Sequence, residues 1–385
     1  MKTRLSDLYT LQMGKTPSRN VPEYWQGGTY QWASVSDLSR GGKHLAKTRE
    51  RITEAAIEQS GIKEVPANTV VMSFKLSLGK VAITREPLFT NEAIMAFIPK
   101  DDRAPIAEYL FYQLQCHDWV KESANRAVMG VTLNKASLSK VEVTIPPKSE
   151  QERVTERLRH LDAQLHSCKI TVNKLDELVK SRFTEMFETA EIRRVRLADC
   201  CERITKGTTP TTIGFSYEST GVNFIKIETI DSRGELIPDK VSHISPTCHS
   251  AMGRSQLFEG DLLFSIAGAI GRCAIVPSWV LPANTNQALS IIRLKNDAPL
   301  NRFYLKEALS SSLIIEMTRR AKRGIAQVNL SLKDVGNFSI PLPPIKQQER
   351  FAEFVNQVDK LRFDVQQQIE KLETLKKSLM QEYFG

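Results

Sequence analysis

An internal repeat offset by 197 residues constrains this 385-residue chain more than anything else in it. Pro146-Pro147 followed by Glu150-Gln151-Glu152-Arg153 returns as Pro343-Pro344 followed by Gln347-Gln348-Glu349-Arg350. The match then runs to the end of the chain without a gap. Leu161-Asp162 answers to Val358-Asp359, Lys174-Leu175 to Lys371-Leu372, and Ser181, Glu185 and Phe187 to Ser378, Glu382 and Phe384. Solenoid units are only about 20–50 residues long, so this period is not theirs. It predicts a pseudo-dimer on one chain, with a pseudo-two-fold relation between its halves. Such an object suits a target that itself has two parts.

The repeated stretches read as long helices. From Ser149 onward the apolar residues are Val154, Leu158, Leu161, Leu165, Cys168, Val172, Leu175 and Val179. Their alternating four- and three-residue steps are the seam of a helix packed on another helix. Ser149 with Glu152 forms a capping box after the proline pair, which predicts the helix start. The second copy repeats the seam as Phe351, Val355, Val358, Val365, Ile369 and Leu372, but puts Arg362 and Lys376 where Leu165 and Val179 stood. Those two charges either snorkel at the edge or mark where the pairing loosens. An antiparallel coiled coil is the expected solution, because each helix then carries the chain back to the other module. A helix over 149–187 would be about 58 Å long.

The segments ahead of the helices are related at scattered points. Arg4-Leu5-x-Asp7 matches Arg196-Leu197-x-Asp199, and Gly14-x-Thr16-Pro17 matches Gly207-x-Thr209-Pro210. Ser73 and Gly79 align with Ser265 and Gly271, Thr90-Asn91-x-Ala93 with Thr285-Asn286-x-Ala288, and Tyr109-Leu110 with Tyr304-Leu305. Short β-like runs dominate both segments: Tyr30–Val35, Thr69–Phe74 and Val141–Ile145 in one, Asn223–Ile227, Asp261–Ile266 and Phe338–Leu342 in the other. Helical patterns follow near Pro105–Lys121 and Leu300–Arg320. The expected fold class is therefore α+β, with two similar modules separated by two long helices. The expected boundaries are 1–145 and 190–340 for the modules, 146–189 and 341–385 for the helices.

Hydrophobic residues make up 41% of the chain and charged residues 25%, a globular composition. The net charge of +9 suits a polyanionic partner as well as it suits many basic proteins without one. None of the six cysteines is spaced CxxC, which predicts reduced thiols and no structural zinc. Cys248-His249 with His243 could ligate a metal, but a metal-free loop is the expected reading. The N-terminus opens straight into folded-looking sequence with no apolar run of membrane-spanning length, so a cytoplasmic protein is expected.

Several positions are chemically suited to a nucleic acid. The Gly-Lys-Thr-Pro and Gly-Thr-Thr-Pro turns could offer amides and hydroxyls to phosphate oxygens, with Lys15 and Lys206 adding charge; equally, they could be turns and no more. Lys226 and Glu228 lie two apart on an expected strand and so would face one way. Side chains of those types read guanine and cytosine edges. Tyr24 and Trp25 are expected to pack a loop. Arg319-Arg320-Ala321-Lys322-Arg323 is the densest basic cluster, and its counterpart keeps only Arg126. Enzymatic signatures are missing: there is no Walker A loop, no Asn/Asp-Pro-Pro-Tyr/Phe, and no helicase motif.

Taken together, the doubled Gly-x-Thr-Pro, the run Tyr24-Trp25-x-Gly27-Gly28 to Trp32-x-Ser34-Val35-x-Asp37-Leu38, and the doubled Pro-Pro…Gln-Glu-Arg helix starts resemble the specificity subunit of type I restriction–modification enzymes. The resemblance covers nearly the whole chain, although the second module lacks the Tyr-Trp-Gly-Gly run. It implies a non-catalytic subunit that binds a bipartite, asymmetric double-stranded DNA target, each module reading one half. It also implies two methyltransferase subunits and restriction/translocase subunits as partners. S-adenosylmethionine, ATP and Mg would be bound by those partners, with no cofactor in this chain. The candidate DNA contacts are Lys15, Thr16, Ser18, Trp32, Ser34, Ser36, Lys75, Ser77, Asn91, Arg126 and Lys135 in the first module. In the second they are Lys206, Thr208, Thr209, Lys226, Glu228, Ser265, Asn286, Arg319, Arg320, Lys322, Arg323 and Gln327. Two alternatives are the specificity subunit of a system with fused nuclease and methyltransferase, and a stand-alone DNA-binding regulator. An enzyme with an unrecognised nuclease or modifying centre is a third.

Overall fold

The computed structural model describes residues 2–75, 77–119, 125–127, 130–189, 191–321 and 329–385, with backbone alone for 125–127, 130–132 and 319–321. The chain divides into two compact units. Unit 1 comprises residues 1–169 and 367–385, and unit 2 comprises 170–366, so the division falls inside each long helix.

Both units follow one topology. Among the described residues, unit 1 orders its main sheet as Tyr9–Met13, Ile94–Pro99, Val70–Ser73, Val81–Thr84, with His44–Leu45 added in parallel at the edge. Unit 2 orders the equivalent sheet as Cys201–Lys206, Leu289–Leu294, Leu262–Ser265, Cys273–Ile275. A second sheet centres on Tyr30–Ala33 in unit 1 and on Val222–Ile225 in unit 2. Each central strand has one antiparallel neighbour (Glu50–Ile52; Ser242–Ile244) and one parallel neighbour (Phe89–Thr90; Ala283–Thr285). A two-stranded ladder closes each module, Lys2–Arg4 on Glu142–Thr144 and Arg194–Arg196 on Ser339–Pro341. Along the central strands of each main sheet alternate residues enter two different clusters, Val70 and Met72 one and Val71 the other, Leu262 and Phe264 one and Leu263 the other, so both faces of the sheet are buried. The strands are shorter than the β-like runs suggest. Val35 opens a helix over Val35–Arg40, and the helical pattern of 300–320 breaks at Ser310-Ser311 into Arg302–Leu309 and Ser312–Ala321.

The long helices run Lys148–Phe187 and Ile345–Phe384. The first starts ahead of the expected cap. The N–H groups of Glu150 and Gln151 donate to Pro147 O at 2.9 and 3.1 Å, so the turn is closed before a Ser149 cap is needed. What fixes each start is the repeated glutamine. Gln151 accepts from Ile106 N at 3.0 Å and donates to Pro146 O at 2.9 Å. Gln348 accepts from Asn301 N at 2.8 Å and donates to Pro343 O and Pro299 O, both at 2.9 Å. Both side chains are buried, where an unpaired amide would be costly.

Within each unit the helices pair antiparallel. In unit 1, Arg157 meets Tyr383, Asp162 meets Lys376 and Lys169 meets Glu373. Val154, Leu158 and Leu161 enter the module core, against which Leu372, Leu379 and Phe384 also pack. Leu165 is buried as well. In unit 2, Phe183 and Phe187 pack edge-on against Phe351, and Val355 and Val358 join the same core with Leu175 at its edge. Ile369 is buried, while Val172 and Val365 are half-buried. Arg362 and Lys376 neither snorkel nor loosen the pairing. Arg362 pairs with Asp176 at 2.9 Å and Asp359 at 2.6 Å, and Lys376 with Asp162 at 2.5 Å, so each charge in the seam meets a carboxylate on the facing helix.

All six cysteines are free. Cys248 Sγ lies against Met252 Sδ, and His249 hydrogen-bonds Asn284, so these two neighbours turn to different partners. Among the described residues no helix is long and apolar enough to cross a membrane.

Candidate nucleic-acid interface

In each unit the repeated motifs, far apart in sequence, converge on one loop cluster. The Gly-x-Thr-Pro turn lies on the Thr-Asn-x-Ala loop. Gly14 N donates to Ile94 O at 3.2 Å and Lys15 N to Thr90 O at 2.8 Å; the counterparts are Gly207 N to Leu289 O at 3.3 Å and Thr208 N to Thr285 O at 3.0 Å. Glycine is required at both turns, because a Cβ would overlap the carbonyl oxygens of Thr90 and Asn91, or of Thr285 and Asn286.

A tight hairpin stands beside the turn. Ser73 Oγ hydrogen-bonds Ser77 O and accepts from Lys80 N at 3.1 Å, while Gly79 N returns to Ser73 O at 3.0 Å. Unit 2 repeats this: Ser265 Oγ donates to Ala269 O and accepts from Arg272 N, both at 2.7 Å, with Gly271 N to Ser265 O at 3.1 Å. Gly79 and Gly271 have φ of +75° and +98°, the left-handed region. Phe74 N and Ile266 N then bond Ala93 O and Ala288 O, and Leu133 N and Leu330 N bond Phe74 O and Ile266 O. The chain thus re-enters each cluster directly after the segment that carries its basic residues.

The candidate contacts divide into frame and surface. Trp32 is frame: it is 2% exposed, its indole N–H donates to Lys15 O at 3.1 Å, and it packs edge-on against Trp25. A ring enclosed this way has no free face for a base, so Trp32 belongs to the frame and not, as expected, to the contacts. Ser265, fully buried in the hairpin, belongs to the frame as well. Asn91 and Asn286 spend their carboxamide oxygens on Ala93 N and Ala288 N, at 3.1 and 3.2 Å, holding the loop from within. Ser34 caps the helix after its strand, with N–H and Oγ both on Asp37 Oδ2 and Oγ 2.8 Å from Ser36 Oγ.

Lys226 and Glu228 do not alternate along a strand. The strand ends at Ile225, and Lys226 precedes a 3-10 turn over Ile227–Thr229, capped by Thr229 Oγ1 on Lys226 N at 3.1 Å. The ladder places Ile225 opposite Thr285 as it places Ala33 opposite Thr90, so Lys226 and Glu228 occupy the slots of Ser34 and Ser36. Lys226 Nζ lies 4.0 Å over the Tyr217 ring, Glu228 is exposed, and Arg272 braces the turn through Ile227 O at 3.2 Å and Ile230 O at 2.6 Å.

At the surface, Lys15, Ser18, Ser77, Lys135 and Lys206 are exposed, and Thr16, Lys75, Thr208 and Thr209 are partly so. Lys15 also reaches Ser60 O. The side chains of Arg126, Arg319 and Arg320, and all of Lys322, Arg323 and Gln327, lie outside the described residues. Two positions escaped the sequence reading. Arg19 lies 3.8 Å over the Trp25 ring and forks onto Glu50 at 2.5 and 3.1 Å. That hydrogen-bonded pairing holds the Glu50 carboxyl below its ordinary range. The other is the variable residue of Thr-Asn-x-Ala, Glu92 or Gln287, each hydrogen-bonded to the threonine of its facing turn. Its signal was the one mismatch inside a repeated tetrad.

Residues 1–175 and 190–374 match the family described as type I restriction modification DNA specificity domain. The MjaIX specificity subunit of Methanocaldococcus jannaschii is 26% identical over 48% of this chain and 42% of its own length. The EcoR124I/EcoR124II specificity subunit of Escherichia coli is 26% identical over 40% and 39%. The matched stretches thus span less than half of these relatives. A chain from a structure of a type I restriction–modification system in complex assembly and conformational transition covers 100% of this chain and 97% of itself. Its TM-score is 0.65 at 17% identity. The specificity subunit of such a system from M. genitalium gives a TM-score of 0.56 at 14% identity, covering 100% and 96%. These likenesses are of fold.

Proposed function

Since the chain belongs to the type I restriction–modification DNA specificity family, we propose that it is the sequence-reading subunit of such a complex, non-catalytic and cytoplasmic. In this reading each unit recognises one half of a bipartite, asymmetric DNA target. The long helices set the gap between the halves and hold two methyltransferase subunits, to which restriction/translocase subunits are added. S-adenosylmethionine, ATP and Mg belong to those partners.

One observation carries the reading. The same hydrogen-bonded loop cluster is built twice, while the side chains at its surface differ: the partly exposed Ser36 against the exposed Glu228, and Glu92 against Gln287. A frame kept constant with altered display is what two readers of unlike sequences require. The positive side chains around it (Lys15, Lys75 and Lys135; Lys206 and Lys226) supply the phosphate attraction that holds a reader in register. Methylation mapping of the complex tests it. Replacing residues 1–145 by another family member's module should change one half-site and leave the other half and the gap unaltered. A change in both halves would sink the two-reader proposal.

A further inference from the structure

In both units the Thr-Asn-x-Ala loop is held almost completely by internal bonds. Thr90 O and Thr285 O take the turn's amide, the asparagine oxygen takes the alanine N–H, and the alanine carbonyl takes the hairpin's N–H. The side chain of the third residue is the most exposed of the four in each unit. That side chain is tethered. Thr16 Oγ1 donates to Glu92 Oε2, and Thr209 Oγ1 donates to Gln287 Oε1.

The tether fixes what each residue has left to offer. Glu92 keeps its second carboxylate oxygen, which can only accept. Gln287 has given one lone pair of its oxygen to Thr209, and its wholly uncommitted group is the amide NH2, which can only donate. Two equivalent slots thus present opposite hydrogen-bond polarity from the same backbone. Fixing an exposed long side chain costs rotamer entropy, which a purely structural clamp at the surface recovers poorly. A carboxylate is also repelled by phosphate, so in a DNA-binding surface Glu92 is suited to a base edge. The basic neighbours Lys15 and Arg19 would take the backbone beside it.

Building on the two-reader proposal, we infer that Glu92 and Gln287 are specificity-determining residues: Glu92 accepts from a base amino group (cytosine N4 or adenine N6), and Gln287 donates to a base acceptor (purine N7, guanine O6 or thymine O4). Each tethering threonine is a positioning residue.

The experiment enriches randomised duplexes on the purified full-length chain and sequences the bound pool. Enrichment of a two-part site by the unaltered chain tests the earlier reading on its own, and its absence would count against that reading. Glu92→Gln keeps an acceptor for Thr16 while turning the free group into a donor. It should shift the preferred base at one position of one half-site, by on the order of tenfold in relative enrichment. The other half-site should stay as it was. Gln287→Glu should do the converse in the other half. A variant that enriches the unaltered site, with its melting temperature unchanged, overturns the inference and leaves the two-reader proposal standing. Equal loss of binding to every sequence also overturns it, as does a fall in melting temperature without a change of base, since either makes the residue a general or structural contact.

Discussion

Units 1 and 2 share a strand order and a set of loop hydrogen bonds, yet they stabilise equivalent places by different chemistry. At the end of the two central strands of the main sheet, unit 2 buries an ion pair. Asp261, 2% exposed, is forked by Arg293 at 2.8 and 2.7 Å and also accepts from Phe258 N at 2.8 Å. The register puts Thr69 and Ile98 at the same two positions in unit 1. Beneath the helices, Tyr112 of unit 1 donates to Asp162 at 2.7 Å, and desolvation of its ring oxygen pushes the phenol well above its usual range. Glu307 stands at the Tyr112 position in unit 2, near Asp359, the repeat of Asp162. The lesson is that the hydrogen-bonded frame at the loops tolerates little change, while the support behind it can be rebuilt.

The largest effect should come from breaking the ion pair. Asp261→Ala leaves a half-enclosed guanidinium and an orphaned N–H, and should cost about 3–5 kcal/mol in unit 2 by denaturant unfolding. Importing the unit 1 solution, Asp261→Thr with Arg293→Ile, should cost clearly less than the single change. If the double variant were the worse of the two, the equivalence of the two supports would fail.

Next come the glutamines that fasten the helix starts. Gln151→Ala and Gln348→Ala should each cost about 1–3 kcal/mol, because each leaves buried backbone groups unpaired. Gln348, fully buried with an additional bond to Pro299 O, should be the more costly of the two. Equal losses would show that the additional bond adds nothing.

The smallest effect is a pH dependence. Burial raises the Glu307 carboxyl above its ordinary value of 4.5, Lys306 opposes that, and the Asp359 carboxylate adds to it. The folded state therefore holds the proton more tightly than the unfolded chain. Its contribution is full below 4.5 and is lost as pH rises through the raised value. Glu307→Gln should remove that slope and raise the melting temperature more at pH 8 than at pH 4. In unit 1, Glu108 runs the other way. Burial resists ionisation, but Lys43 and Arg159 hold its carboxyl below the usual range, so its contribution disappears as pH falls. A Glu307→Gln variant with an unchanged pH profile would remove this contrast between the units.

The amino-acid sequence alone determined the doubling, the α+β class and the antiparallel helices, because a 197-residue repeat and a seam of alternating four- and three-residue steps are written locally. It also named the motifs from which the loop cluster is made. Only the tertiary structure decided which of those residues form the frame and which form the display. Trp32, Ser265, Asn91 and Asn286 look like contacts in a string of letters; Trp32 turns inward to a partner in another segment, and the other three are taken up by backbone groups of their own loops. Glu92 and Gln287 look like a mismatch, and they face solvent while the threonine of the same loop is buried beside them. Burial and hydrogen-bond partnership are properties of chain neighbours brought together in space, and no spacing along the sequence encodes them directly.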